Sequence, residues 1–253
     1  MFFKKKKPFV RFVNAMPGVE ISHPVLRATD YKFDWARTAA KDYKERKTNY
    51  QIDDFLIGLN RCPGISHYLQ TGFIITAPID FTIATDSSKP DLFEWTCPVN
   101  FEFEGREYIG SHSSDQLAKF VPFRSDTLKT IIKVNTRWMI QSSSDIIFLQ
   151  LPIAYPDHNT FTAAHGIIDC QKLLEINVQL FWHKKDGMAL IKAGTPLCHI
   201  VPIPREFAVD LVVEARTEKD RYISAAYEYL AKKEFNKDMK SFFNSAKKLL
   251  SRD

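Results

Sequence analysis

The sequence predicts a mainly β protein of the α+β class, with an α-containing N-terminal segment and a C-terminal helix. Three observations carry that expectation. The middle of the chain is a succession of short runs rich in β-branched and aromatic residues, separated by turn chemistry. The apolar period changes from two to about 3.6 near both ends. The 253 residues are 45% hydrophobic and 26% charged, and no apolar run approaches the roughly 18 residues that span a bilayer, so the composition favours a packed core and predicts no membrane association.

Residues 9–30 are turn-rich, with a break at Met16-Pro17-Gly18. Asp30 to Lys47 turns helical, because Trp35, Ala36, Ala39, Ala40 and Tyr43 recur at spacings of three and four. Arg61-Cys62-Pro63-Gly64 predicts a turn, then a short helix through Leu69, with Gly72 where a helix end accepts a left-handed residue. About a dozen short strands follow. They are Phe73 to Thr76, Ile79 to Thr85, Phe93 to Thr96, Phe101 to Phe103, Arg106 to Ile109, Leu128 to Val134, Trp138 to Gln141, Ile146 to Leu151, Leu174 to Trp182, Ala189 to Lys192, Pro196 to Ile203 and Val209 to Val213. Ser113 or Ser114 is placed to cap a short helix over Gln116 to Phe120. Asp186-Gly187 predicts a hairpin between the strands on either side. Beyond Glu214 the period is helical again, with Tyr222, Ala226, Leu230, Phe235, Met239, Phe242, Phe243 and Leu250 on one stripe. The expected division is 1–70 as an N-terminal α/β segment, 71–213 as a β-rich core and 214–253 as an amphipathic helical segment.

Charge is unevenly placed. The net charge is +5. Lys4, Lys5, Lys6, Lys7 and Arg11 meet no acid in the first eleven residues, and from Arg216 onward ten basic side chains face six acidic ones. The body between is therefore slightly acidic. A basic run beside Phe2, Phe3 and Phe9 suits phosphate neutralisation with base stacking, which makes nucleic acid one partner to test; a solvated arm is the competing reading. Cys62, Cys97, Cys170 and Cys198 are scattered, as in chains of a reducing compartment.

Few constellations carry chemistry. Ser111, His112 and Asp115 stand too close in sequence to converge as a triad, so that turn is expected to be non-catalytic. His158 and His165 are seven residues apart and match no ligand spacing, so no metal is expected. No glycine-rich phosphate loop occurs, and no cofactor is expected.

The most specific stretch is His165-Gly166-Ile167-Ile168-Asp169, then Glu175-Ile176-Asn177-Val178, then Lys192 to Ile200. It resembles the trimeric dUTPase and dCTP-deaminase superfamily, whose third motif reads GVID, three residues, then RGE before a strand. Asp169 to Glu175 keeps that register, Gly194 to Ile200 is similar to the fourth motif, and Ile140 to Pro152 to the strand entering the second. The resemblance covers about 128–204, under a third of the chain. It implies a dUTPase-like β-clip core, a trimer among its possible assemblies, and a remnant ligand pocket at Gly166, Asp169 and Glu175. In the family the motif-three Asp engages the deoxyribose and helps activate water. Here Lys172 replaces the family's Tyr, Leu173-Leu174 its Arg-Gly pair, and Pro152-Ile153-Ala154 its Pro-Arg-Ser; no glycine follows Gly194 to build a closing arm.

Triphosphate hydrolysis needs donors and charge on the phosphate oxygens, so these departures imply a scaffold without the enzyme. The competing reading of Asp169 is a turn residue that bonds its own backbone. The segments at Arg61 to Ile65, Thr71 to Ile74, Leu128 to Ile140 and Lys192 to Ile203 also resemble uncharacterised proteins of tailed bacteriophages. Together these resemblances imply a non-catalytic virion component, made in the host cytoplasm and using the scaffold for assembly with phage structural proteins or with copies of itself. The expected interaction surface is Lys4, Lys5, Lys6 and Lys7 with Phe235, Met239, Phe242 and Phe243. The alternative is a pyrimidine-nucleotide-binding protein or divergent hydrolase, with Arg124, Lys129, Arg137 and Lys172 replacing the lost phosphate contacts.

Overall fold

The computed structural model describes residues 8–49, 62–98, 107–117, 123–172, 175–206 and 210–232. Its contacts divide the chain into two units, residues 1–41 with 59–207 and residues 42–58 with 208–253.

The first unit is mainly β, with three antiparallel sheets. In the first sheet, β7 (Ile131–Ser142) pairs with β1 (Val10–Asn14), β6 (Ile109–His112) and β11 (Glu175–Trp182), and β11 pairs onward with β9 (Phe161–Ala163). The second runs β10 (Gly166–Ile168), β8 (Ile146–Leu151), β13 (Pro196–Pro204), β3 (Phe73–Thr76), β2 (Leu26–Arg27). The third runs β12 (Gly187–Ile191), β4 (Phe81–Thr85), β5 (Phe93–Thr96).

Period-two alternation places the core. On β11, Ile176, Val178, Leu180 and Trp182 are buried while the residues between them are half-exposed, as in a strand with one face on the interior. They join Ile132, Val134 and Ile140 of β7, Phe148 of β8, Phe81 and Ile83 of β4, and Leu197, Cys198 and Ile200 of β13 in one apolar cluster to which all three sheets contribute. Helix α3 (Pro63–Gln70) opens with proline in its first turn, where the missing N–H has no helical partner to lose. Gly72 then adopts φ 85°, and a Cβ on it would lie 2.2 Å from the Ile200 carbonyl oxygen, so backbone geometry and close approach both require glycine. The short helices α1 (Val19–Ser22) and α4 (Ser114–Leu117) complete this unit's described elements, together with the start of α2 (Asp34–Asn49), whose residues from Asp42 onward belong to the second.

Two bulges tune the registers. Between the pairs Glu175↔Met139 and Asn177↔Asn135, two steps of β11 oppose four of β7. An even number of extra residues preserves facing, so Val134 and Trp138 on either side are both buried. Arg137 absorbs the distortion at φ 62°. The loosened backbone stays bonded: Ala15 N–H donates to Arg137 O at 3.0 Å, and Thr136 Oγ1 donates to Ile176 O at 2.6 Å. On β13 the register shifts between Pro196 and Cys198, and Leu197 and Cys198 are consecutively buried.

Several expectations need correction. The predicted runs Leu128 to Val134 and Trp138 to Gln141 are one strand, β7, because the Arg137 bulge interrupts the pattern without ending the ladder. The Asp186-Gly187 hairpin does not form. β11 already has β7 and β9 on its two edges, so the chain crosses sheets and β12 pairs with β4. Gly187 still takes the left-handed turn, at φ 84°, and Thr85 Oγ1 fastens the crossing by donating to Lys184 O at 2.8 Å. Residues 10–14, expected as turn, form β1. The helix expected from Asp30, α2, begins at Asp34. In Val209 to Val213, residues 210–213 form no strand: no strand among the described residues pairs with them, and Leu211 and Val213 are 89% and 84% exposed. The strand expected over Phe101 to Phe103 and the end of the helix expected over Gln116 to Phe120 lie outside the described residues.

In the second unit, α5 (Glu218–Lys232) starts from a reciprocal cap. Thr217 N–H donates to Asp220 Oδ2 at 2.8 Å, and Asp220 N–H returns a bond to Thr217 Oγ1 at 3.3 Å. No helix among the described residues is long and apolar enough to cross a membrane.

Candidate functional site

The turn after β10 holds Asp169. Its Oδ1 accepts the Gln171 N–H at 3.0 Å, the local bond by which an aspartate stabilises a turn. A second bond set reaches across the fold. Arg205, just past β13, donates from Nη1 to Asp169 Oδ2 and from Nη2 to Oδ1, both at 2.7 Å, and from Nε to Ser144 O at 2.6 Å. A planar guanidinium matched to a carboxylate in this two-pronged way gives a strong and directional pair. The Arg205 hydrogen bonds, followed by that of Gln171 N–H, hold the Asp169 carboxyl well below the usual carboxylate range. Lys172, expected as a substitute phosphate ligand, has its Nζ 4.0 Å from Asp169 and is 83% exposed.

Glu175, the first residue of β11, engages a different arginine. Its Oε1 lies 3.5 Å from Nη1 of Arg137, whose side chain is 4% exposed. The pair sits at the β7 bulge, and Arg137 also donates to Glu107 O at 3.4 Å. Gly166 begins the edge strand β10 opposite Gln150 and has open space where a side chain would be. Asp169 and Glu175 thus each answer to their own cation. Arg124 is paired with Asp126 at 2.5 Å. Arg205 was not among the cations expected near Asp169: it is 36 residues away, and the pairing of both β10 and β13 with β8 brings it there. The remaining candidate surface, Lys4 to Lys7 and Phe235, Met239, Phe242 and Phe243, lies outside the described residues, as do Leu173 and Leu174.

A pocket of about 300 Å³ opens at another place in the first unit. Three segments build it: Tyr31 and Phe33 ahead of α2, the loop after β8 from Ile153 to His158, and Gly194 to Pro196 entering β13. Gly194 takes φ 83° in a turn tied by Gly194 N–H to Ala77 O at 2.8 Å and Thr195 N–H to Lys192 O at 3.0 Å. Tyr155 is left-handed at φ 52°, a conformation that costs a side-chain-bearing residue about 1–2 kcal/mol. Its ring meets Trp35 edge-on at 5.5 Å. The Tyr31 and Phe33 rings stand 4.8 Å apart at 78°. Burial, then the charges of Asp157 and Asp34, push the Tyr31 hydroxyl above its usual range. Burial lowers the His158 imidazole from its usual range, with the charge of Asp157 opposing. No sequence motif marks this pocket; the alternating aromatics Tyr31, Phe33 and Trp35 were its one visible trace.

Among the described residues no group of three His, Cys, Asp or Glu side chains is arranged to hold a metal ion. Burial pushes the Cys198 thiol far up, which removes it as a nucleophile. Comparison of the chain with models of known families, with curated proteins and with solved structures finds no match in any of the three.

Proposed function

We propose that this chain is a non-catalytic assembly or binding module, built on a dUTPase-like β-clip scaffold and serving as a structural component of a bacteriophage virion. The observation that supports this reading most is the Asp169–Arg205 pair. In the superfamily that the 165–200 stretch resembles, the equivalent carboxylate must be open to a sugar hydroxyl and a water. Here both its oxygens accept from one guanidinium, which also donates its Nε–H to Ser144 O. The pair works as a clamp: Asp169 holds the turn after β10 to Arg205, and Arg205 ties the end of β13 to the loop before β8. Exposed apolar side chains support a binding role: Leu211, Val212 and Val213 in the second unit, and Met188 and Leu190 on the edge strand β12 in the first.

The alternative, a pyrimidine-nucleotide site, draws on the two cations beside Asp169, but it requires phosphate to displace a two-pronged carboxylate pair. Quantitative mass spectrometry of purified virions tests the location. A fixed copy number compatible with virion symmetry is the expected result, and absence of the chain from virions would overturn the structural role.

A further inference from the structure

We propose that the pocket bounded by Tyr31, Phe33, Asp157 and His158 binds an organic cation, an ammonium or guanidinium group with a compact body. The inference does not depend on the assembly role or on Asp169. Four observations converge on it. The lining carries one carboxylate, Asp157, and no Lys or Arg. Two aromatic residues, Tyr31 and Phe33, line it, and an aromatic face attracts a cation. Ile153, Pro156 and Pro196 add apolar wall beside Gly194 and Thr195, which suits the body of an organic cation better than a bare ion. The volume, about 300 Å³, is that of a small ligand or a single side chain. A phosphate-bearing ligand is disfavoured because nothing in the lining neutralises it.

The shared chemistry has two sources, a free small cation or the Lys or Arg side chain of a partner protein. Paired probes separate charge from shape and one source from the other. Choline is compared with its uncharged isostere 3,3-dimethylbutanol, and Nα-acetylarginine amide with Nα-acetylcitrulline amide. Binding is read from amide shifts of residues 153–158 and 194–196 in the full chain. The expected result is saturable binding of at least one cation, at least about tenfold tighter than its neutral partner. Preference for choline assigns a free cation, and preference for the arginine amide a partner's side chain. Asp157→Asn, at an exposed position that should not disturb folding, is expected to erase the charge preference, and Tyr31→Leu to weaken the cation severalfold while leaving the neutral isostere nearly unchanged. Equal affinity for charged and neutral partners, an unaltered preference in Asp157→Asn, or no shift of these amides up to about 50 mM probe would each overturn the proposal.

Discussion

At Asp169, one carboxylate does the work of two local interactions and one long-range one, and its behaviour with pH follows. Its folded-state pKa is depressed, so its contribution to stability is fully present above the unfolded value of about 4 and is lost as pH falls through the folded value. Urea midpoints measured from pH 6 down to pH 2 are therefore expected to fall in the native chain, with part of that fall missing in Asp169→Asn. Identical pH profiles would contradict the pair's assigned weight. Asp169 was visible in the sequence because a turn aspartate between two apolar runs has a local signature. Its partner was not, since nothing local to Arg205 announces a contact with a residue 36 positions earlier. The same holds for the pocket: Asp157 and Tyr31 meet only because the loop after β8 returns past the segment ahead of α2.

Elements were legible where pattern and neighbours agreed. Strands β3, β5 and β8 match their apolar runs to the residue, and β11 ends at the expected Trp182, because each is a short β-rich run that ends in turn chemistry. They failed where pairing decided. β1 carries a modest signal and exists through its ladder with Trp138 to Ser142 of β7, and β12 left its expected hairpin because β11 had no free edge. Two substitutions test element-level claims. Gly72→Ala combines a left-handed backbone with a clash against the Ile200 carbonyl oxygen, so it should cost about 3 kcal/mol or more, measured by chemical denaturation. Thr217→Ala removes the cap of α5 and should speed amide exchange in its first turn roughly fivefold, with the sheets of the first unit unaffected.

For the whole molecule, mainly β character followed from the texture of the sequence, since period-two runs with β-branched residues can bury one face only in sheets. The partition into three sheets with one shared core did not, because strand order is a property of long-range pairing and of bulges such as that at Arg137. Function follows the same division. The proposed likeness to a nucleotide-hydrolysing superfamily rests on the stretch from His165 to Ile200, within which the Asp169 carboxylate is held in an ion pair. The most direct test of a scaffold without the enzyme is incubation of the purified chain and its Asp169→Asn variant with dUTP and dCTP, with and without Mg²⁺, reading phosphate or pyrophosphate release, deamination and nucleotide-induced shifts of residues 166–172. No turnover and no shifts are expected in either protein. Hydrolysis or deamination that Asp169→Asn abolishes, or saturable nucleotide binding at these residues, would contradict this expectation.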